Sequence, residues 1–471
     1  MSWKIKRISA AFMAACVWCL CSGAGICESH NQEVETGEEA GFLFTYGDVV
    51  GFIGDSITHV EYLPVSYVEL LENYYLAHYP EQEIEFRNLG MAGYTVRDIL
   101  EVYDRDPAFR GINKAVIMLG MNEAMQKIPT EEYLVALEEL IGRLKADGLS
   151  GEDILVLAPT PYDQTCGINY DRNGFPYQTT DTRLQEFVAE LPGKTTEWGV
   201  RYVDLHTPMR GLSLEIQKEN DRETLTVGDC IHPDLEGHWM MVYEILKAQG
   251  ADFSGDLREE RLEFYSSGQG QCWRWKTGKN GIAEDEGLER LCSIFPEAAG
   301  LTQERFGGIG LSPDTSYVVA VDGEEIGVFQ GNELETGIDL SAVDGAEELF
   351  WNDIAKQVAG KNQERHHNSA VYRATICALR AENPDFSEAD LQESYESWRA
   401  EDERLREEIH TLVWDALERE YAVSITEEGY PAEELWQEAQ QAAEQARKEE
   451  VAREAAKQFI LWMKKKIFIF K

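Results

Sequence analysis

Between residues 47 and 250 the chain alternates short apolar runs with longer segments in which apolar residues recur every three or four positions. Short runs bounded by turn residues predict strands, whereas the longer spacing predicts amphipathic helices. The predicted strands are residues 49–53, 83–87, 114–119, 153–158 and 200–204. Strands that alternate with helices favour a parallel sheet covered on both faces, so we expect an α/β domain with a parallel five-stranded sheet here.

The helix predicted between the third and fourth strands shows this pattern clearly. Leu134, Leu137, Ile141 and Leu144 recur at helical spacing, and Thr130 is a candidate N-cap before them. We expect the apolar stripe to pack on the sheet.

Beyond residue 250 the pattern changes to one typical of antiparallel strands. Residues 317–321 and 326–329 are β-like runs on either side of Asp322 and Gly323. An Asp-Gly pair suits the positive φ angles of a two-residue hairpin turn. We therefore predict a β-hairpin within residues 251–345, which we assign to a linker and a small β-rich segment.

Residues 346–471 are predicted to form a helical region with long charged helices. One helix is expected after Pro384, capped by Ser387. Its apolar stripe comprises Leu391, Tyr395, Trp398, Leu405, Ile409, Leu412 and Tyr421. Residues 429–431 break this helix, and a second one is predicted from Ala432 onward. Two such helices most simply form a hairpin on the rest of the protein, and a dimerising coiled coil stays open as an alternative.

The N-terminus has the order of a secretory signal peptide, which we assign to residues 1–24. Lys4, Lys6 and Arg7 precede an apolar stretch, which small residues follow. We therefore expect a secreted protein, with cell-surface anchoring left open. Export permits disulfides, and Cys272 with Cys292 is a candidate loop-closing pair.

The charge balance narrows the choice of partners. The chain has 86 acidic and 43 basic residues, which gives a formal net charge of −43. Such a charge repels nucleic-acid phosphates and anionic lipid headgroups, so we expect no nucleic-acid partner and disfavour a membrane-surface role. The apolar runs within residues 459–470 are too short to span a bilayer, and docking on the protein's own core explains them as well as contact with a membrane interface does.

Four short strings carry the candidate chemistry: residues 54–57 (Gly-Asp-Ser-Ile), 88–93 (Asn-Leu-Gly-Met-Ala-Gly), 120–123 (Gly-Met-Asn-Glu) and 229–232 (Asp-Cys-Ile-His). The first three follow predicted strands, whose carboxyl ends meet at one edge of a parallel sheet. A serine, a histidine and an acid brought together can supply a nucleophile, its base and a group that orients the base. Backbone and amide N–H groups beside them can stabilise an oxyanion.

In order and spacing these strings resemble the blocks of the SGNH (GDSL-type) hydrolase superfamily, over roughly residues 47–249. The resemblance implies a flavodoxin-like three-layer sandwich, assigned to residues 43–250. It also implies roles for Ser56 as nucleophile, His232 as base, Asp229 as the partner of His232, and the backbone of Ser56, Gly93 and the side chain of Asn122 as oxyanion donors. The third block commonly continues with aspartate, so Glu123 is a departure that puts the geometry of its loop in doubt.

Together these features predict a serine esterase that hydrolyses an acetyl or other short-chain ester of a carbohydrate through an acyl-enzyme. The expected partner is thus a small-molecule or polysaccharide ester. Aromatic residues after the fourth predicted strand suit either stacking on sugar rings or packing of their own loop: Tyr162, Tyr170, Phe175 and Tyr177. No cofactor and no metal are expected, although the run from His232 to His238 contains histidine, aspartate and glutamate, the residue types of a metal site. A lipolytic esterase or lysophospholipase, and a non-catalytic binding or assembly protein with a vestigial site, are the alternatives.

Overall fold

A parallel five-stranded sheet forms the centre of the first half of the chain, in the order β2-β1-β3-β4-β5. Its strands are β1 (Val49–Gly54), β2 (Glu85–Gly90), β3 (Lys114–Met118), β4 (Ile154–Leu157) and β5 (Arg201–Val203). The predicted α/β sandwich with this sheet is confirmed. The computed structural model describes residues 44–163, 178–221, 223–251, 253, 261–275, 286–301, 305–339, 343, 352–417 and 420–469, so the predicted signal segment lies outside the described residues.

Helices alternate with these strands along the chain. They are α1 (Ser56–His59), α2 (Tyr67–His78), α3 (Val96–Tyr103), α4 (Met121–Gln126), α5 (Thr130–Ala146), α6 (Gln178–Trp198), α7 (His206–Ile216) and α8 (Leu235–Ala248). The predicted stripe of α5 is buried in the core. Thr130 is the first helical residue and Pro129 takes the cap position, so the prediction of Thr130 as N-cap is wrong by one residue.

A second, antiparallel sheet of five strands lies in the later part of the chain, in the order β10-β9-β12-β7-β6. Its strands are β6 (Arg261–Ser267), β7 (Gly270–Trp275), β9 (Ser316–Val321), β10 (Glu324–Gln330) and β12 (Tyr421–Glu427), while β8 (Arg305–Phe306) and β11 (Ile338–Asp339) form a separate pair. The predicted hairpin is confirmed as β9 and β10, and Asp322 and Gly323 have φ angles of +49° and +86° at its turn.

The helix predicted to run through Tyr421 is a wrong prediction. Helix α12 (Glu388–Leu417) ends earlier, and β12 then pairs with β7 on one side and β9 on the other. Tyr421, Val423 and Ile425, which are every second residue, belong to one apolar core, which is the period-two pattern of a strand. The β-branched residues of this segment favour the pleated conformation, and the helical stripe had been extended across them. The β-rich segment therefore draws its central strand from within the predicted helical region.

The predicted pairing of the last two helices is also wrong. The partner of α12 is α11 (Asn352–Glu382), with which it forms a helical hairpin. The last helix, α13 (Ala432–Ile469), contacts β6, β7 and β12 instead. Within the described part of the chain, no helix is long and apolar enough to cross a membrane. Two short helices, α9 (Glu286–Ile294) and α10 (Gly331–Thr336), complete the later half of the chain.

Helix α11 covers the outer edge of β2, which is an edge strand of the parallel sheet. Arg365 Nη2 lies 3.4 Å from the carbonyl oxygen of Phe86, and Ser369 Oγ donates to the carbonyl of Asn88 over 3.1 Å. These side chains occupy backbone acceptors that an edge strand otherwise leaves unpaired. A fully buried ion pair between Arg373 and Asp106 holds the same helix to the domain.

Cysteine chemistry differs from the prediction. Cys272 carries a free thiol, so the predicted pair with Cys292 is not formed. Burial raises the pKa of the Cys272 thiol to about 11. Cys230 is disulfide-bonded.

Candidate active site

Ser56 is the first residue of α1, immediately after the carboxyl end of β1. The turn between them is tight: a Cβ at Gly54 would lie 2.0 Å from Thr58 Oγ1, so only glycine fits there. The side chain of Asp55 caps α1 by accepting the N–H of Ile57 over 2.9 Å. This turn presents the Ser56 hydroxyl to His232, whose Nε2 lies 2.8 Å from Ser56 Oγ.

Asp229 holds His232 from the other side of the imidazole ring. Asp229 Oδ1 accepts the backbone N–H groups of Ile231 and His232 over 2.9 Å each, and Oδ2 lies 2.5 Å from His232 Nδ1. Burial alone would raise the pKa of Asp229, but the hydrogen bonds from His232 and Ile231 hold it below its usual value. An ionised carboxylate only accepts, so Nδ1 carries the proton and Nε2 is left to accept the proton of Ser56.

Gly93 and Asn122 follow the two strands that flank β1. In the sheet register Gly54 is opposite Gly90 of β2 and Met118 of β3, so both residues follow strand ends that meet beside Ser56. Gly93 has a φ of +78° and open space on the side where a Cβ would project. Asn122 Nδ2 donates one N–H to the carbonyl of Tyr94 over 3.0 Å, which fixes the amide, and its second N–H has no acceptor among the described residues.

A known protein family matches the part of the chain that carries this arrangement. The model of the GDSL-like lipase/acylhydrolase family matches residues 52–240, a range that contains all five predicted site residues. Residues 52–240 are a GDSL-like lipase/acylhydrolase domain. This match supports an ester hydrolase. A search of curated protein sequences finds no match to it.

Solved structures resemble the chain at low identity. The gut microbial diltiazem-metabolizing enzyme BT4096 is 18% identical, with a TM-score of 0.64 over 82% of this chain and 98% of that one. This likeness supports the fold and extends beyond the GDSL-like domain. The acetylxylan esterase Axe2 from Geobacillus stearothermophilus is 21% identical, with a TM-score of 0.36 over 44% of this chain and 96% of that one. The hydrolase LAE5 from the metagenome of Lake Arreo, Spain, is 23% identical, with a TM-score of 0.35 over 45% of this chain and 98% of that one.

Two buried carboxyl groups lie at the carboxyl edge of the sheet in the GDSL-like domain. Burial raises the pKa of Asp55 to about 6. Burial also raises the pKa of Glu123 to about 7, although the N–H of Val96 donates to Glu123 Oε1 over 2.6 Å. This bond ties α4, which carries Asn122, to the start of α3, which follows Gly93. Although Glu123 stands where aspartate is common, it still supplies an acceptor that links the two loops.

Three residues near the site differ from the sequence interpretation or escaped it. His59 is buried and donates from Nδ1 to the carbonyl of Gly90 over 3.1 Å. Tyr62 packs its ring on His232, with centroids 4.8 Å apart. His238 is buried, and its Nε2 lies 3.2 Å from the Tyr62 hydroxyl. Tyr62 and His238 are 176 residues apart, and no local spacing in the sequence points to their contact.

Of the four aromatic residues that suit either sugar stacking or loop packing, Tyr162 alone lies among the described residues. Tyr162 is buried with 2% of its surface exposed, so its ring packs within the domain. Tyr170, Phe175 and Tyr177 lie outside the described residues. Of the histidines in the run from 232 to 238, His232 faces Ser56 and His238 faces Tyr62, and no group of three potential metal ligands exists among the residues described.

Proposed function

We propose that the GDSL-like domain hydrolyses esters through Ser56 as nucleophile, His232 as general base and Asp229 as the group that orients the base. The observation that carries this proposal is the continuous pair of contacts, 2.8 Å from Ser56 Oγ to His232 Nε2 and 2.5 Å from His232 Nδ1 to Asp229 Oδ2. A serine hydroxyl is a weak nucleophile until such a base removes its proton.

The reaction then follows in two halves. Ser56 Oγ attacks the acyl carbon while its proton passes to His232 Nε2, and the carbonyl oxygen becomes an oxyanion. The backbone N–H groups of Ser56 and Gly93 and the free N–H of Asn122 stabilise that charge. His232 returns the proton to the departing alcohol, which leaves the acyl group on Ser56. Water, deprotonated by His232, attacks the acyl-enzyme and releases the acid.

The substrate that we propose is an acetyl or other short-chain ester of a carbohydrate outside the cell. The net charge of −43 disfavours binding to anionic lipid surfaces, where a lipolytic enzyme would work. The disulfide at Cys230, between Asp229 and His232, supports export because such bonds persist in oxidising compartments. Lipolysis and a vestigial site are the competing outcomes.

The test compares wild type with Ser56→Ala on a chromogenic acetyl ester, and then on acetylated oligosaccharides, phospholipids and peptide esters. Ser266→Ala, at an exposed serine near the end of β6 in the second sheet, is the matched control. We expect turnover by wild type and the control, loss of turnover in Ser56→Ala, and preference for the acetylated oligosaccharides. Equal rates for wild type and Ser56→Ala would contradict the assignment of the nucleophile, and preference for phospholipids would contradict the substrate.

A further inference from the structure

Tyr62 is a neighbour of His232, the proposed general base. Its ring packs on the imidazole of His232, with centroids 4.8 Å apart and planes inclined by 52°. Under the proposed mechanism the departing oxygen takes its proton from His232 Nε2, the atom that faces Ser56. Groups that flank the His232 ring therefore flank the alcohol half of the ester.

The hydrogen bond between Tyr62 and His238 has a defined direction. The backbone N–H of Tyr67 donates to His238 Nδ1 over 3.1 Å, and a backbone N–H only donates. Nδ1 is therefore without a proton, and the proton of the neutral ring is on Nε2. His238 Nε2 donates to Tyr62 Oη over 3.2 Å. Complete burial, which lowers the pKa of His238 to about 3, agrees with a neutral ring.

Because of this direction, the proton of the Tyr62 hydroxyl has no acceptor among the described residues. Burial first, and the carboxylates of Asp229 and Asp55 next, raise the pKa of Tyr62, so the hydroxyl keeps its proton. Within the described residues, Tyr62 makes no second hydrogen bond. The side chain is partly exposed and its ring packs on His232, so this donor lies beside the proposed base.

We propose that Tyr62 selects the alcohol half of the substrate by donating a hydrogen bond to an oxygen on the carbon next to the ester-bearing carbon. The substrate class is then the monoesters of vicinal diols and polyols, of which sugar esters are one kind. This inference rests on the proposed function and deepens it. A site that hydrogen-bonds a substrate hydroxyl discriminates against the analogue that lacks it, because the donor is then left unpaired.

The test uses two acetyl esters that differ by one hydroxyl group, trans-2-hydroxycyclohexyl acetate and cyclohexyl acetate. Each is assayed with wild type, Tyr62→Phe and Tyr46→Phe, which alters an exposed tyrosine. Tyr62→Phe keeps the ring on His232 and removes only the hydroxyl. We expect it to lower kcat/KM for the hydroxylated ester by roughly 3- to 10-fold and to leave cyclohexyl acetate within about twofold of wild type.

The two esters distinguish a role of Tyr62 in substrate selection from a role in positioning His232. An equal loss on both would show that Tyr62 only positions His232, and no loss on either would show that its hydroxyl does not meet the substrate; both results overturn the inference. The proposed function is judged separately by Ser56→Ala, which should be inactive on both esters whatever Tyr62→Phe does. Wild type that hydrolyses neither ester would contradict the substrate assignment and the inference together.

Discussion

The two five-stranded sheets of this chain differ in what lies at their strand ends. The parallel sheet carries Ser56, Gly93 and Asn122 after three adjacent strands, and two buried carboxyls with raised pKa values lie among them. The antiparallel sheet encloses an apolar core that includes Trp273 and Val423. In a parallel sheet all strands point the same way, so loops that follow them gather at one edge, whereas antiparallel strands distribute them between two.

The two sheets differ in whether their residues mainly affect catalysis or the stability of the fold. Burying Asp55 and Glu123 opposes folding unless they stay protonated, and the parallel sheet tolerates this at the edge where the site lies. The second sheet instead joins distant parts of the chain, because β12 lies between β7 and β9. We therefore expect substitutions of the proposed catalytic residues at the edge of the first sheet to alter catalysis, and substitutions within the second sheet to alter stability.

The largest effect is expected for Asp229→Asn. The amide would no longer stabilise the protonated form of His232 and would favour the wrong tautomer, so kcat should fall by about 10⁴-fold. Asp322→Asn in the β9-β10 turn is the matched control, because asparagine also tolerates the φ of +49° found there. Steady-state kinetics check both variants. Similar kcat values for the two variants would contradict the proposal that catalysis depends on the first sheet and not on the second.

Asn122→Ala should lower kcat by about 10²–10³-fold, because one donor to the oxyanion is lost. The expected loss is in kcat, since the donor acts mainly on charge that develops in the transition state. Measurement of kcat and KM on a chromogenic ester tests this. A change confined to KM would mean that Asn122 binds the ground state instead.

Ile425→Ala in the central strand β12 should destabilise the protein by about 2–5 kcal/mol through lost apolar burial and the cavity left behind. Ile425 is fully buried between β7 and β9, far from any residue of the proposed mechanism in sequence. Urea unfolding measures the loss, and kcat per folded molecule should be unchanged. A large fall in kcat with unchanged stability would show that the second sheet takes part in catalysis.

The smallest effect is expected for Glu123→Gln, and it depends on pH. The folded-state pKa of about 7 lies above the usual value, so the folded protein holds a proton that the unfolded chain releases. Its contribution to stability is therefore lost as pH rises through the window up to about 7. Glutamine stays neutral, so the variant should gain stability relative to wild type as pH rises to about 7, on the order of 1 kcal/mol, with no further gain above that pH.

Urea midpoints across this pH range measure the difference, with the exposed Glu131→Gln as control. Parallel pH curves for wild type and Glu123→Gln would contradict a buried, proton-holding carboxyl at this position.

Features that depend on local sequence could be predicted. Strand β1 is a continuous apolar run that is buried along nearly its whole length, and the Asp322-Gly323 turn needs only two residues. The contact of Asp229 with His232 spans three positions of one loop, so its spacing is visible in the sequence.

Features that depend on long-range pairing could not be predicted. Strand β12 was read as part of a helix because its partners β7 and β9 lie far earlier in the chain. For the same reason, the sequence did not predict the contact of Tyr62 with His238 or the hydrogen bond from Ser369 to β2. These contacts are decided by packing, which single-sequence periodicity does not report.

The central claim, that Ser56 is the nucleophile, is tested most directly by mass spectrometry after reaction with a fluorophosphonate. We predict one covalent adduct on the peptide that contains Ser56, and none on that peptide in Ser56→Ala. A wild-type protein that stays unlabelled, or an adduct on a different serine, would contradict the account.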